Sequence, residues 1–179
     1  MYSFHHHRSQ SILVVVIGVG LVGSEFINQL LSLPPNPFKI ISLSTSRKTL
    51  FLAHGLALSP STWKSALEES TEKSDINITL NNLRILAKSG EKIVVVDNTS
   101  SDEVAKLYPQ LLESGLNIIT PNKKAFSSSF SLYESILSSS LDSGARFFNE
   151  STVGAGLPII STLKDLVATG DKVGFSCPS

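Results

Sequence analysis

SILVVVIGVGLVGSEF, residues 11–26, is the stretch that decides the fold of this chain. Its apolar run Ile12–Ile17 predicts a buried β-strand, and the residues from Leu21 to Leu33 predict a helix. Three glycines at G-x-G-x-x-G spacing join these two elements: Gly18, Gly20 and Gly23. This order of strand, turn and helix is typical of a dinucleotide-binding fingerprint.

Each glycine of this turn has its own physical reason. Gly18 allows the tight turn, Gly20 lets a pyrophosphate approach the backbone, and Gly23 lets the helix pack against the strand. The first backbone N–H groups of the helix and its positive dipole end would then face the phosphates. The sequence therefore predicts a nucleotide site here. The alternative is a glycine-rich turn that binds no ligand.

Composition excludes several classes of protein. The chain has 179 residues, enough for one domain or for one domain and the start of another. Its 15 basic and 15 acidic residues give no electrostatic footprint for nucleic acid or an anionic membrane. No apolar run is long enough to span a bilayer, and the one cysteine, Cys177, excludes a disulfide framework. We therefore expect a cytoplasmic protein without nucleic-acid or membrane partners.

The second predicted strand, Phe38–Leu43, bears on the choice of nucleotide. In folds that prefer NAD, an acidic residue about 20 positions past the glycines binds the ribose 2′-hydroxyl. Here the strand ends in STSRK, residues 44–48, without a carboxylate. Hydroxyls and a guanidinium would bind a 2′-phosphate. The sequence thus favours NADP with Arg47 as the phosphate clamp, and the alternative is a solvated basic loop.

Short polar residues follow the next predicted strand, Lys92–Val96, at its carboxyl end. Open α/β sheets bind their ligands at this end, so the cluster Asp97–Ser101 is a candidate site. Helix capping is the other interpretation, because Ser101 precedes a predicted helix that runs to Glu113. Capping explains Ser101 but does not require the other polar residues.

Two adjacent lysines, Lys123 and Lys124, follow a further predicted strand, Leu116–Ile119. A lysine held at this carboxyl end would lie near a nicotinamide and its substrate. A solvated pair of surface lysines is an equally good interpretation. Spacing alone does not choose between the two.

The last predicted strand, Arg146–Asn149, leads into Glu150, a glycine-rich turn and a helix over Leu157–Thr169. One carboxylate beside several backbone carbonyls suits a hard cation, and the alternative is a solvated Glu150 in an ordinary connection. Further helices are predicted over residues 63–69, 79–88 and 127–140. The alternation of strands and helices predicts an α/β fold with a doubly wound parallel sheet, a Rossmann-like domain.

Four segments carry a resemblance to a known family: VVVIGVGLVGSEFINQLL (14–31), VVVDNTSSDEVAKLY (94–108), GLNIITPNKKAFSS (115–128) and ESTVGAGLPIISTLKDLVATGDKV (150–173). In them the chain resembles the amino-terminal part of homoserine dehydrogenase, the fungal form most closely. The sequences TPNKKAF and TVGAGLPII are more specific than the glycine fingerprint. The resemblance implies reversible NAD(P)-dependent reduction of aspartate 4-semialdehyde to homoserine, on the path to threonine, isoleucine and methionine.

The resemblance also implies roles for individual residues. It places the cofactor pyrophosphate against one continuous segment: Gly18, Val19, Gly20, Leu21, Val22 and Gly23. Thr99 and Ser100 would contact the nicotinamide end, and Lys123 would be a catalytic residue that reaches cofactor and substrate. A monovalent cation, usually sodium, would be bound by the Glu150 side chain and three backbone carbonyls: Val153, Ala155 and Leu157. The family often accepts both NADP and NAD.

On this resemblance we expect three parts: a flexible arm over 1–10, a dinucleotide-binding domain over 11–150, and the start of a substrate domain over 151–179. Family members continue for roughly another domain's length, with substrate-binding residues, a further catalytic lysine and the sheet through which full-length relatives form homo-oligomers. Residues 174–179 depart from the family pattern. We therefore expect a truncated chain that turns over little or no substrate alone and exposes the apolar stripe of its last helix.

Two other functions fit the same fold. An aspartate-semialdehyde dehydrogenase would need a thiol nucleophile within the fold, and Cys177 is badly placed for that chemistry. An NADP(H)-binding module without catalysis would bind the nucleotide and transmit its state to a partner. Turnover favours the dehydrogenase, whereas binding without turnover fits the module or a damaged enzyme.

Overall fold

The apolar run at residues 12–17 forms a central strand of a six-stranded sheet. The computed structural model describes residues 11–170, so the expected arm over 1–10, Cys177 and the end of the chain from residue 171 lie outside the described residues. The strands are β1 (Ile12–Ile17), β2 (Phe38–Ser44), β3 (Thr49–Phe51), β4 (Lys92–Asp97), β5 (Asn117–Ile119) and β6 (Phe147–Phe148). The helices are α1 (Leu21–Ser32), α2 (Trp63–Glu69), α3 (Ile76–Lys88), α4 (Asp102–Lys106), α5 (Tyr108–Glu113), α6 (Lys124–Ser127), α7 (Phe130–Ser143) and α8 (Ile159–Ala168), with a 3₁₀ turn at Glu150–Thr152.

The strand order explains where a ligand would bind. The sheet runs β3-β2-β1-β4-β5-β6, and the pairs from β2 across to β6 are parallel. The chain moves outward in one direction from β1 to β2 and in the other direction from β4 to β6. This reversal between β1 and β4 is the topological switch point at which open α/β sheets bind ligands. The predicted Rossmann-like α/β fold is confirmed.

Strand β3 departs from the predicted all-parallel sheet. It pairs antiparallel with β2, with Ser44 opposite Thr49 and Ser42 opposite Phe51. Only the four residues 45–48 separate the two strands, and a connection this short makes a hairpin and not the crossover that parallel strands need. The expectation of a purely parallel sheet was therefore wrong at this edge, and the sheet is mixed.

Apolar layers cover both faces of the sheet. On one face Val14 and Val16 of β1 pack with Ile27 and Leu30 of α1 and with Trp63 of α2. The other face of β1 packs against residues of α3, α5 and α7. A strand covered on both sides reads as a continuous apolar run, which is why β1 and β4 were predicted from sequence. Full burial of each such side chain contributes about 1.5–3 kcal/mol.

Local chemistry sets the helix ends that differ from prediction. α3 begins at Ile76, three residues earlier than predicted, because the Asp75 carboxylate accepts hydrogen bonds from the amides of Asn77 and Ile78. The single helix predicted up to Glu113 is two short helices, α4 and α5, separated at Leu107. Pro109 has no N–H to donate to Ala105, which interrupts the helical ladder there.

The long serine-rich helix is shifted toward the carboxyl end. Residues 127–140 were predicted, whereas α7 spans Phe130–Ser143. The Ser129 hydroxyl accepts a hydrogen bond from Leu132 N and starts the helix, and Gly144, at φ 73°, ends it. Across residues 11–170 no helix combines the length and the apolar character that a membrane crossing requires.

Candidate functional site

The carboxyl ends of three strands meet at the switch point. Ile17, the last residue of β1, pairs with Ser44 of β2 and with Asp97 of β4. The amide of Gly18 donates to the carbonyl of Ser44 at 2.9 Å, and the amide of Asn98 donates to the carbonyl of Ile17 at 2.8 Å. These bonds fix the glycine turn between the loops that follow β2 and β4. The glycine turn, the loop after β2 and the loop after β4 therefore lie together at the carboxyl ends of the central strands.

Two of the three fingerprint glycines are required by packing. Gly18 has φ 89°, and a Cβ there would lie 2.7 Å from Thr99 Cγ2 and 2.9 Å from the carbonyl carbon of Asn98. A Cβ on Gly23 would lie 2.2 Å from the carbonyl oxygen of Gly18. All three distances are shorter than a Cβ can approach in proteins, so the turn folds only with glycine at these two positions.

Gly20 differs from the other two glycines. A Cβ on Gly20 would have no atom within 4 Å. Gly20 is the N-cap of α1, and no side chain accepts a hydrogen bond from the first turn of this helix. Leu21 and Val22, the first two helical residues, are 93% and 62% exposed. The first turn of a twelve-residue helix thus offers N–H groups and a positive dipole end to an anion.

Two cavities flank the glycine turn. The larger, about 430 Å³, lies between the loops after β2 and β4, and its lining includes Gly18, Ser44, Thr45, Thr99, Ser100 and Glu103. The smaller, about 260 Å³, lies beside α1 and α2, and its lining includes Val19, Ser24, Lys48, Trp63, Lys64 and Glu68. Thr45 belongs to both linings. The two cavities adjoin at Thr45, and we refer to them together with the glycine turn as the cleft.

Arg47 lies at the tip of the β2–β3 turn. Its backbone amide donates to Thr45 Oγ1 at 3.2 Å, and its side chain lines neither of the two cavities. Lys48 and Lys64 line the smaller cavity instead, and the ammonium of Lys48 donates to the carbonyl of Glu68. Sequence reasoning missed Lys64. It lies 17 positions after Arg47 in the sequence, and only the packing of α2 against α1 brings it to this cavity.

The polar cluster after β4 divides into two groups. Asp97 is fully buried, and its carboxylate accepts hydrogen bonds from the amide of Thr99 at 2.8 Å and from the hydroxyl of Tyr108. Ser101 caps α4 through Val104 N, as predicted. Thr99 and Ser100 line the larger cavity. Asp97 and Ser101 thus support the loop, while Thr99 and Ser100 face the space that a ligand would fill.

Burial sets the protonation state of Tyr108. The ring is fully buried, and its centroid lies 5.7 Å from that of Phe147, with the two rings tilted at 54° to each other. Desolvation of the phenol raises the pKa of Tyr108, and the negative charge of Asp97 raises it further. The hydroxyl therefore stays protonated throughout the neutral range and donates a hydrogen bond to the carboxylate of Asp97.

The structure distinguishes the two adjacent lysines. The ammonium of Lys124 lies 3.5 Å from Asp102 Oδ2. A hydrogen bond from Ser128 and the positive charge of Lys124 lower the pKa of Asp102, so this carboxylate stays ionised. No ion pair involves Lys123 among residues 11–170, and its side chain is exposed beside the end of β5. Lys123 is thus the lysine of the pair whose ammonium has no ion-pair partner among the described residues.

Glu150 caps a helix. It is half-buried at the start of the 3₁₀ turn, and its carboxylate accepts hydrogen bonds from Ile160 N at 2.9 Å and from Ser161 N at 3.0 Å. The intervening loop bends at Gly154 and Ala155, both in the left-handed region at φ 72° and 53°. The carboxylate thus stabilises the N-terminus of α8, a role that sequence reasoning did not consider.

Helix α8 exposes an apolar face. None of its residues is buried, and its large apolar side chains include the exposed Leu163, Leu166 and Val167. The expectation that this stripe is exposed is confirmed for the described residues.

Sequence comparison identifies relatives of this chain. A family model described as "Homoserine dehydrogenase, NAD binding domain" matches residues 18–150. Homoserine dehydrogenase of Paracoccidioides brasiliensis is 43% identical over 171 residues, which cover 92% of this chain and 46% of the relative. The Saccharomyces cerevisiae enzyme of the same name is 40% identical, covering 89% of this chain and 44% of the relative. The chain therefore spans about half the length of the curated relatives that it matches.

Solved structures show the same fold. A Candida auris protein of unknown function superposes with a TM-score of 0.80 at 38% identity, covering 92% of this chain and 45% of that one. A hyperthermophilic archaeal homoserine dehydrogenase in complex with NADPH superposes with a TM-score of 0.62 at 23% identity, covering 86% and 48%. At that identity the archaeal structure supports the fold alone.

Proposed function

Because the chain belongs to the homoserine dehydrogenase family, we propose that its cleft binds NAD(P)H for the reduction of aspartate 4-semialdehyde to homoserine. One observation carries this proposal: Gly20 and the uncapped first turn of α1 are open between two cavities. Packing requires glycine at 18 and 23, but nothing within the described chain requires it at 20. A pyrophosphate lying against the backbone explains that third glycine.

Each part of the cleft has a role in this proposal. The backbone of the segment Gly18–Gly23 binds the pyrophosphate, and the α1 dipole stabilises its charge. Thr99 and Ser100, which line the larger cavity, orient the nicotinamide end. When bound, the reduced nicotinamide supplies the hydride. The ammonium of Lys123, which has no ion-pair partner among the described residues, attracts the carboxylate of the substrate and the aldehyde oxygen, where negative charge develops as the hydride arrives and before a proton is taken up.

We further propose a preference for NADP. The β2–β3 turn carries no carboxylate that would repel a 2′-phosphate, and Arg47 stands at its tip. Lys48 and Lys64 add positive charge to the smaller cavity, partly offset by Glu68. A guanidinium or an ammonium at this place favours the phosphorylated ribose over the plain one.

We also propose that the segment after β6 binds a monovalent cation such as sodium. The proposed ligands are the Glu150 carboxylate and the carbonyls of Val153, Ala155 and Leu157. The carbonyls of Val153 and Ala155 accept no hydrogen bond from the described residues, and Glu150 keeps lone pairs beyond those used by α8. One carboxylate with several carbonyls is the oxygen donor set that hard cations prefer. The cation would fix this loop between β6 and α8.

Binding of NADPH to the 179-residue chain tests the proposal. Trp63, the single tryptophan, lines the smaller cavity, so its emission should be quenched by energy transfer to bound reduced nicotinamide. Thermal stability should rise with ligand concentration, since a ligand that binds the folded state stabilises it. A folded chain whose fluorescence and melting temperature are unchanged by millimolar NADPH and NADH would contradict the proposal.

The expectation that this chain alone turns over little or no substrate stays a prediction, as do the roles proposed for individual site residues and three further expectations from the sequence. They are the boundary between the two domains at residue 150, the cytoplasmic location, and the homo-oligomeric state of full-length relatives.

A further inference from the structure

Two loops of the proposed site are joined by one buried side chain. Thr99 and Ser100 follow β4, and Lys123 follows β5. Asn122 lies between these loops and is 2% exposed. Its Nδ2 donates to Asp97 Oδ2 at 3.1 Å and to the carbonyl of Ser101 at 3.0 Å.

The remaining polar atoms of Asn122 bind its own loop. Its backbone amide donates to Thr120 Oγ1 at 2.8 Å, and its Oδ1 accepts from Lys124 N at 3.1 Å. Both amide protons, the side-chain oxygen and the backbone N–H are therefore used. An amide supplies the two donors and the acceptor that these contacts use, whereas a carboxylate of the same shape offers no donors.

Asp97 gives this arrangement a fixed anchor. Its carboxylate is fully buried, and among the described residues it accepts only from uncharged donors: the amide of Thr99, the hydroxyl of Tyr108 and Nδ2 of Asn122. The hydroxyl of Thr120 donates to the carbonyl of Asp97 at 2.9 Å. A buried charge needs all such donors, so the network permits one arrangement of the two loops.

We propose that Asn122 is a positioning residue, which holds Lys123 and the Thr99–Ser100 segment at a fixed separation around the nicotinamide end of the cofactor. This inference rests on the proposed function. It also predicts that Asn122 acts on one half of the cofactor. The pyrophosphate and adenosine half lies against the glycine turn and the β2–β3 turn, which Asn122 does not touch.

The test compares two ligands in Asn122→Asp. This change keeps the shape and the acceptor for Lys124 N, removes both donors, and sets a carboxylate against Asp97. NADPH is compared with 2′-phospho-ADP-ribose, which has the same adenosine half and lacks the nicotinamide ring. We expect the affinity for NADPH to fall about tenfold, the effect of an unsatisfied buried group, while the affinity for 2′-phospho-ADP-ribose stays within about twofold. The fluorescence anisotropy of the bound nicotinamide should fall as well.

Asn117→Asp is the matched control. Asn117 also bridges two neighbours, since its Nδ2 donates to the carbonyl of Ile93 at 3.2 Å and its Oδ1 accepts from Arg146 N at 2.9 Å. It lies at the opposite end of β5 from the site. A loss of stability is expected in both variants, larger in Asn122→Asp because its new carboxylate faces Asp97, and a selective loss of NADPH affinity is expected only in Asn122→Asp.

The outcomes separate this inference from the proposed function. If the unmodified chain binds neither ligand, the proposed function fails and the inference fails with it. If the unmodified chain binds NADPH but Asn122→Asp loses both ligands equally, or neither, the inference alone is overturned. Should Asn122→Asp not fold, Tyr108→Phe takes its place. It removes another donor to Asp97 with little change in shape, and it should show the same selectivity to a smaller degree.

Discussion

Gly18 and Thr99 are in contact at the switch point: a Cβ on Gly18 would lie only 2.7 Å from Thr99 Cγ2. The turn after β1 and the loop after β4 therefore approach each other as closely as backbone atoms allow. The hydrogen bond from Asn98 N to the carbonyl of Ile17, at 2.8 Å, joins the turn to this loop.

Gly18→Ala should destabilise the fold. The φ of 89° is unfavourable for a residue with a Cβ, and the new methyl group would displace Thr99. We expect a cost of about 2–4 kcal/mol, from the strained backbone together with the steric overlap. Urea unfolding would measure this cost. A variant as stable as the original chain would show that the turn adopts another conformation.

Gly20→Ala should leave stability nearly unchanged and weaken NADPH binding, in contrast to Gly18→Ala. The φ of −94° is accessible to alanine, and a Cβ there meets no atom within 4 Å. Stability should change by no more than about 0.5 kcal/mol, while NADPH affinity should fall at least about tenfold because the methyl group occupies the space proposed for the pyrophosphate. Thermal unfolding and a fluorescence titration measure the two effects. Unchanged affinity would exclude a pyrophosphate at this backbone.

Arg47→Ala tests the preference for NADP. Loss of the guanidinium should reduce the affinity for NADPH about tenfold, the value of one charge-assisted contact, and leave that for NADH unchanged. Lys64→Ala is the informative comparison, because Lys64 lines the smaller cavity and Arg47 does not. A change of preference only in Lys64→Ala would assign the 2′-phosphate to α2 and contradict the clamp at Arg47.

Tyr108 should make stability depend on pH in alkaline solution. Burial and the charge of Asp97 raise the pKa of Tyr108 in the folded chain. At neutral pH the phenol is protonated in both states, so it contributes no pH dependence. Above about pH 10 the unfolded chain releases the proton and the folded chain keeps it, so stability should fall by about 1.4 kcal/mol per pH unit.

Tyr108→Phe serves as the comparison for that slope. It should lower stability at neutral pH by about 1–3 kcal/mol, because Asp97 loses a hydrogen-bond donor. Its stability should not show the fall above about pH 10 that the phenol of Tyr108 causes. Urea midpoints between about pH 9 and pH 11 measure both chains. Parallel pH profiles for the two chains would refute the assignment of the slope to Tyr108.

Glu150→Gln should loosen α8. The substitution keeps the size of the side chain and removes the negative charge beside the amides of Ile160 and Ser161. We expect a loss of about 0.5–1 kcal/mol, visible as faster hydrogen exchange at these two amides. Asp165→Asn removes the same charge near the carboxyl end of α8 and should not accelerate exchange. Equal exchange in Glu150→Gln and the original chain would contradict the capping role.

The elements that sequence predicted well are those with a strong local signal. Ile12–Ile17 and Trp63–Glu69 have the predicted bounds, because a strand buried on both faces is apolar throughout and Trp63 anchors the first turn of α2. The edge strand Thr49–Phe51 gave no signal. Three residues are too few to show periodicity, and the strand exists only because β2 is beside it.

The site was less predictable because its contacts are distant in sequence. Asp97 and Asn122 are 25 positions apart, so a sequence alone shows two polar loop residues and not the bond between them. The choice between Lys123 and Lys124 depended on Asp102, which lies at the start of α4, 22 positions earlier than Lys124. Whether Glu150 was solvated depended on α8 returning over the 3₁₀ turn.

Both edge strands of the described sheet are short. β3 has three residues and β6 has two, so each offers only a few backbone groups to a strand from another molecule. Long unpaired edge strands are the usual templates for aggregation, and natural proteins avoid it partly by keeping edge strands very short. The short edge strands of the described sheet thus leave few backbone groups for amyloid-like pairing with another molecule.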